Sequence, residues 1–107
     1  SYKIDRQMRW SPKYVSPLVT IPIERMLKQR ISTGYRLQAI VGAMCVSRAK
    51  LVSDQISSLF PELSVDWVGT GDNGRDQEIN KSILGKFCPK KDERGDRTPT
   101  LDILVHV

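Results

Sequence analysis

The chain has 107 residues, of which 39% are hydrophobic and 27% charged, so its composition predicts one small globular domain or part of one. No apolar run approaches the ~20 residues that span a bilayer, and the sequence therefore predicts no membrane partner. The formal charge of +5 is unevenly distributed. Residues 1–36 hold eight Lys or Arg and two acids, whereas residues 37–107 hold nine Lys or Arg and ten acids. This asymmetry is typical of a segment that contacts nucleic acid or an acidic surface, and equally of a solvated basic arm beside an ordinary domain.

The basic excess begins in residues 1–16, which show no clean hydrophobic period. Trp10 and Tyr14 accompany Lys3, Arg6 and Arg9 there, and this mixture indicates an arm that lies on a partner. With the helix that follows it, the arm makes up residues 1–36.

The helix is predicted to begin at Ser16-Pro17 or at Thr20-Ile21-Pro22, because proline is tolerated in a first helical turn. Gly34 is the expected residue just beyond its C-terminus. Its apolar face is expected at four positions with helical spacing, which are Ile23, Met26, Leu27 and Ile31.

From residue 37 the sequence alternates between strand and helix patterns. Leu37 to Val46 is almost continuously apolar, which fits a parallel strand that is buried on both faces. Ser47 can cap the next helix, whose apolar residues repeat at helical spacing. Those residues are Ala49, Val52, Ile56, Leu59 and Phe60.

A second strand is predicted over Ser64–Val68, and a helix over Asp76–Phe87 with Asn73 or Asp76 as its cap. The inner face of that helix is expected at Ile79, Ile83, Leu84 and Phe87. A charged, mobile loop is predicted from Pro89 to Pro99, and Leu101–Val107 is predicted to be a third buried strand. The order β-α-β-α-β predicts an open parallel sheet covered by helices, and a chain that ends inside a larger domain.

A glycine-rich turn, Gly69-Thr70-Gly71-Asp72-Asn73-Gly74, lies between the second strand and its helix, where backbone N–H groups and the helix dipole favour an anion. Its letters match the dinucleotide fingerprint G-x-G-x-x-G, but that motif needs an acid at the end of the next strand, which here reads Val105-His106-Val107. A Walker A loop needs Lys and then Ser or Thr after its second glycine, where this chain has Arg75-Asp76. We therefore predict that the turn binds the phosphates of a nucleic acid.

Ser47 and Arg48 directly follow the first strand, so they are expected at the same carboxyl edge of the sheet as Thr70 and Gly71. A hydroxyl and a guanidinium at a helix N-terminus suit a phosphate, although a helix cap beside a solvent-facing arginine explains the same pair. The single histidine, His106, is expected to be a packed or edge residue rather than a catalytic one.

Cys45 and Cys88 are far apart, and neither belongs to a Cys-x-x-Cys pair or to a metal-ligand spacing, so no metal site is expected. Two lone cysteines without a signal-peptide pattern predict a reducing, cytoplasmic setting.

Residues 38–107 resemble the second RecA-like half of superfamily 2, DEAD-like, helicases and translocases. Gln38–Arg48 looks like the strand and the polar, basic pair of motif IV. Val65–Phe87, with the stretches WVGTG and INKSILGKF, is similar to the following strand, glycine turn and Phe-ending helix. The stretch LDILVHV looks like the strand that opens motif V, although Val107 stands where that motif usually has a threonine.

The resemblance implies an α/β fold, a three-layer α/β/α parallel sheet of the RecA-like type, incomplete at residues 37–107 and truncated within motif V. It implies an ATP-dependent helicase as the parent protein, with backbone contacts to single-stranded or duplex nucleic acid by Ser47, Arg48, Thr70 and Gly71. ATP and magnesium would belong to the full-length parent and its first RecA-like half, with no catalytic residue and no cofactor in this segment. Two alternatives stay open, a Rossmann-like dinucleotide-binding fragment and a small basic α/β nucleic-acid-binding module without enzymatic activity.

Overall fold

The computed structural model describes residues 17–107, so the predicted arm with Trp10 and Tyr14 lies outside the described residues. The chain divides into two compact units, Ser1–Leu37 and Gln38–Val107. The first contains one described helix, α1, over Pro17–Thr33, and the second contains three strands and two helices. These are β1 (Ala39–Gly42), α2 (Val46–Leu59), β2 (Val65–Val68), α3 (Gln77–Phe87) and β3 (Ile103–His106).

Helix α1 begins at the earlier of the two predicted positions and includes Pro22. It ends as predicted at Gly34, whose φ of +75° is a left-handed conformation that favours glycine and whose N–H donates to the Arg30 carbonyl at 2.9 Å. The Arg30 guanidinium also donates to the carbonyl of Leu37, through Nε at 2.8 Å and through Nη2. The predicted apolar face is only partly buried, because Ile31 is 87% exposed.

All three strands of the second unit are parallel, and β3 lies in the middle of the order β1-β3-β2. Ile103 is aligned with Ala39 on one side and with Val65 on the other, and the pairing continues without a bulge. The predicted parallel α/β arrangement is therefore confirmed in its coarse form.

The two helices cover opposite faces of the sheet. Leu104 packs with Ile83 and Leu101 in a cluster that Phe87 joins, which places α3 on the Leu104 face. Ile103 and Val105 point to the other face and are fully buried, and α2 contacts β2 and β3. The chain moves from β1 past β3 to β2 and then back to β3, so right-handed crossovers require the two helices to lie on opposite faces.

Strand β1 corrects one prediction. It spans four residues rather than ten, and it is not buried on both faces, because Ile40 is 61% exposed. The physical reason is its place at the edge of the sheet, because α2 and α3 lie mainly over β2 and β3 and not over β1. An apolar run alone could not distinguish this edge strand from a central one.

Two helical details also differ from prediction. The residue that precedes α2 is Cys45, so Ser47 lies inside the first turn and does not cap the helix. On α3 the predicted residues Ile79 and Leu84 are about half exposed, while Asn80 is buried.

The loop that was predicted to be mobile contains a hydrogen-bonded turn, in which the carboxylate of Asp92 accepts the N–H groups of Arg94 and Asp96.

Asp102, just before β3, links the starts of all three strands. Its carbonyl accepts the N–H of Ala39 at 3.0 Å, and its N–H donates to the Ser64 carbonyl at 2.9 Å. Its buried carboxylate accepts the N–H of Ser64 at 2.8 Å. The side chain therefore ties the loop before β2 to the central strand.

We expect Asp102→Ala to lower the free energy of unfolding by roughly 1–3 kcal/mol, because it leaves the Ser64 N–H without its acceptor in a partly buried place. Urea unfolding followed by far-UV circular dichroism measures the change. Asp96→Ala, which removes an exposed carboxylate of the 89–99 segment, is the control and should leave the midpoint nearly unchanged. Equal midpoints for the two variants would contradict this role of Asp102.

Candidate nucleic-acid interface

The predicted site residues lie at one edge of the sheet. Because the strands are parallel, their carboxyl ends meet at the same edge, and the segments that carry Ser47 and Thr70 both leave from it. Strands β1 and β2 are not neighbours, since β3 lies between them and separates them by roughly 10 Å. Proximity of the two segments therefore depends on where α2 begins.

Gly69 shows where α2 begins relative to the glycine turn. A Cβ atom at this position would lie 3.1 Å from Cγ2 of Val46, the first residue of α2, and 2.9 Å from Cγ2 of Val107. The amino end of α2 therefore crosses the end of β3 and lies directly against the start of the turn. Ser47 and Arg48 follow Val46, so the structure brings the two predicted segments together.

The base of the turn is held by Asn80, a buried residue of α3 that the sequence analysis did not single out. Its Oδ1 accepts the N–H of Gly69 at 3.2 Å, and its Nδ2 donates to the carbonyls of Gly69 and Arg75 at 3.1 and 3.3 Å. The N–H of Arg75 donates to the Gly69 carbonyl at 2.9 Å. The signal in the sequence was a lone amide at helical spacing from Ile83, within an otherwise apolar stripe.

Arg75 is bound to strand β2. Its Nη1 donates to Oδ1 of Asp66 at 2.7 Å and to the carbonyl of Trp67 at 3.1 Å. Its guanidinium carbon also lies 4.2 Å from the centroid of the Trp67 ring, a distance typical of cation–π contacts. Arg75 therefore fixes the turn to β2, which is a different task from that of a phosphate-binding lysine in a Walker A loop.

The tip of the turn faces solvent. Thr70, Gly71, Asp72 and Asn73 are all exposed, and within residues 17–107 no acceptor is described for their N–H groups. Two of them have left-handed backbone, with φ of +90° at Gly71 and +62° at Asn73. A tight turn of this kind can direct successive N–H groups towards one anion. The carboxylate of Asp72 sets a limit, because a bound phosphate must avoid it.

Cys45, exposed at the amino end of α2, is a second feature of this edge that sequence reasoning missed. Its Sγ lies 3.2 Å from the hydroxyl oxygen of Ser47, and this hydrogen bond is the main cause that lowers the pKa of the thiol. The backbone N–H and the positive charge of Arg48 lower the pKa further. The same local field that stabilises a thiolate favours other anions at this helix end.

Comparison with known proteins returns no relative. No family model matches the chain, and neither a curated protein nor a solved structure matches it. Across residues 17–107, no helix is both long and apolar enough to cross a membrane. The same residues contain no group of three or more His, Cys, Asp or Glu side chains arranged to hold a metal ion.

We expect Gly74→Ala to destabilise the domain and Gly85→Ala to stabilise it. A Cβ at position 74 would lie 2.7 Å from the Cα and carbonyl carbon of Thr70, whereas a Cβ at Gly85, in α3, meets nothing within 4 Å. The first change should cost about 1–3 kcal/mol, and the second should contribute about 0.5–1 kcal/mol through helix propensity. Thermal unfolding of both variants checks the signs, and a neutral Gly74→Ala would contradict the described turn.

We expect the Cys45 thiol to ionise at a lower pH than an ordinary cysteine thiol, and Ser47→Ala to raise its pKa by removing the main stabilising hydrogen bond. The test is the pH dependence of iodoacetamide alkylation in a Cys88→Ser background. Ser57→Ala, an exposed change elsewhere on α2, is the control and should not move the profile. If Ser47→Ala leaves the pH profile of alkylation unchanged, the hydrogen bond from Ser47 is not the cause of the lowered pKa of Cys45.

Proposed function

We propose that this chain is the nucleic-acid-binding part of an ATP-dependent helicase or translocase, and that it contributes a second RecA-like half to it. The observation that carries the proposal is the contact of Gly69 with Val46, which joins the amino end of α2 to the glycine turn. The order of elements in residues 38–107, a parallel β-α-β-α-β unit, is compatible with the family resemblance of the sequence.

The proposed ligand is the phosphate backbone of a nucleic acid. The backbone N–H groups of the exposed residues Thr70 and Gly71 supply donors without reading a base, and Arg48 adds a positive charge at the amino end of α2. Such contacts position a strand and carry no sequence information by themselves. The chemistry therefore supports binding that is indifferent to sequence and sensitive to salt.

The residues of this glycine turn do not fit ATP and magnesium. By the family resemblance, both would belong to the parent protein. A Walker A loop presents a lysine to the phosphates and a hydroxyl to the metal. Here Arg75 is paired with Asp66 and stacked on Trp67, and the next residue is Asp76. We assign no step of ATP hydrolysis to residues of this chain.

The strand order argues against the dinucleotide-binding alternative. A mononucleotide-binding half of the Rossmann type has its second strand between the first and third, whereas here the third strand is central. Strand β3 ends at His106 and is followed by Val107, so neither position holds the acid that would bind a ribose. A non-enzymatic binding module remains the second candidate, since it would use the same carboxyl edge.

We expect the chain to bind a fluorescein-labelled oligo-dT strand weakly, with a log–log salt slope of about −0.7 for each phosphate neutralised. Arg48→Ala should weaken this binding by about 1 kcal/mol, on the scale of one hydrogen bond to a charged group. Fluorescence anisotropy measures both. Lys81→Ala, which removes an exposed positive charge on α3, is the matched control and should change binding much less.

Two results would contradict the proposal. The first is binding that is absent at low salt or independent of salt. The second is an Arg48→Ala variant that binds like the Lys81→Ala control while its thermal unfolding is unchanged. Saturable binding of NAD would favour the dinucleotide alternative instead.

A further inference from the structure

The chain contains two asparagines, and the structure places them in opposite environments. Asn80 is buried, and its side-chain amide is bound to the backbone of Gly69 and Arg75. Asn73 lies at the exposed tip of the glycine turn, and within residues 17–107 no hydrogen bond is described for its side-chain amide. Asn73 is followed by a glycine, whereas Asn80 is followed by Lys81. Only Asn73 therefore combines an exposed amide with a next residue that has no side chain.

An asparagine that precedes a glycine can modify itself. The backbone nitrogen of the glycine attacks the side-chain carbonyl carbon, a carbon–nitrogen bond forms, and the side-chain nitrogen leaves as ammonia with the proton of the backbone amide. Water then opens the cyclic succinimide at either carbonyl and leaves an aspartate or an isoaspartate. Water is the only co-reactant, and a following glycine favours the attack because it has no side chain to hinder it and a freely rotating backbone.

The folded turn restrains the nitrogen that would attack. The N–H of Gly74 donates to the carbonyl of Gly71 at 3.0 Å, and a Cβ on Gly74 would lie 2.7 Å from Cα of Thr70. Asn80 holds the backbone on both sides of the tip through its Nδ2 group. The reaction at Asn73 therefore requires a local opening of the turn, which the hydrogen bonds of Asn80 oppose.

We propose that Asn73-Gly74 is a self-deamidation site restrained by Asn80, and that the reaction inactivates the glycine turn as an anion site. Either product places a carboxylate beside Asp72, at the exposed tip where a phosphate would bind. The isoaspartate product also adds a carbon to the backbone at a residue with a left-handed φ of +62°, so the tip loses its shape. The inactivation rests on the proposed function, whereas the chemistry at Asn73 does not.

Mass spectrometry of the full chain after incubation at neutral pH tests the chemistry. Trypsin cleaves after Lys50, Arg75 and Lys81, so the two asparagines lie in separate peptides. The peptide with Asn73 should gain the mass that replaces an amide by a carboxyl group, and the peptide with Asn80 should not. Asn73→Gly, which suits a positive φ, should remove the gain. Equal modification of the two wild-type peptides, or modification of neither, would overturn the proposal.

The restraint by Asn80 is tested by Asn80→Ala, which should speed deamidation of Asn73 roughly tenfold, the effect of losing about one net hydrogen bond. Asp102→Ala destabilises the domain at the opposite edge of the sheet and is the matched control, which should change the rate much less. Circular dichroism establishes that each variant is folded, and Asn80→Ser replaces Asn80→Ala if the alanine variant is not. Equal rates in the Asn80 variant and in Asp102→Ala would contradict the restraint.

Fluorescence anisotropy with the labelled oligo-dT strand tests the inactivation. Asn73→Asp should weaken binding roughly fivefold, the scale of one repulsive charge contact in water, whereas Asn73→Gly should bind like the wild type. Ser57→Asp adds the same charge at an exposed position of α2 and is the control for net charge.

The two proposals fail in different ways. If Asn73→Asp binds like Ser57→Asp while Arg48→Ala weakens binding, the inactivation is wrong and the proposed function stands. If neither Asn73→Asp nor Arg48→Ala changes binding, the proposed function fails, and the inactivation that rests on it fails too. Mass spectrometry decides the deamidation of Asn73 in either case.

Discussion

The central position of β3 is the constraint on which the rest of this domain depends. Within residues 17–107, both other strands pair only with β3, and Asp102 fixes their starts through its backbone and its buried carboxylate. Strand β3 follows β1 and β2 in the sequence but lies between them in the sheet. The three-stranded sheet therefore cannot form until residues 101–107 are in place. The most deeply buried strand residues, Ile103 and Val105, accordingly belong to β3.

The strand order also determines how the candidate site is built. With β3 between them, the loops after β1 and β2 begin roughly 10 Å apart, so side chains at the two strand ends would not meet directly. Helix α2 closes this gap by starting over the end of β3, where a Cβ at Gly69 would crowd the side chains of Val46 and Val107. The first glycine of the motif therefore favours close packing, while Gly71, with its left-handed φ of +90°, shapes the tip.

The sequence predicted the types of the elements well and their tertiary roles less well. Periodicity identified every helix and strand from residue 17 onwards, and Gly34 marked the end of α1. The edge position of β1 could not be predicted, because the apolar run Leu37–Val46 reads the same in a central strand. Asn80 was missed for a related reason, since hydrogen bonding to a turn eleven residues earlier is a tertiary relation that spacing on the helix does not reveal.

Under the proposed function, a hydrogen-bonded base beneath an exposed tip would suit the glycine turn to a phosphate. Asn80 satisfies the backbone of Gly69 and Arg75, and Arg75 is in turn held by Asp66 and Trp67, so the donors at the base are already used. Only the tip, at Thr70 to Asn73, presents N–H groups to solvent. An anion that binds there meets donors whose positions are fixed from below, which reduces the entropy lost on binding. The same arrangement explains why the turn resembles a nucleotide-binding loop in its letters but differs from one in its chemistry, because its arginine serves the fold and its glycines serve packing and shape.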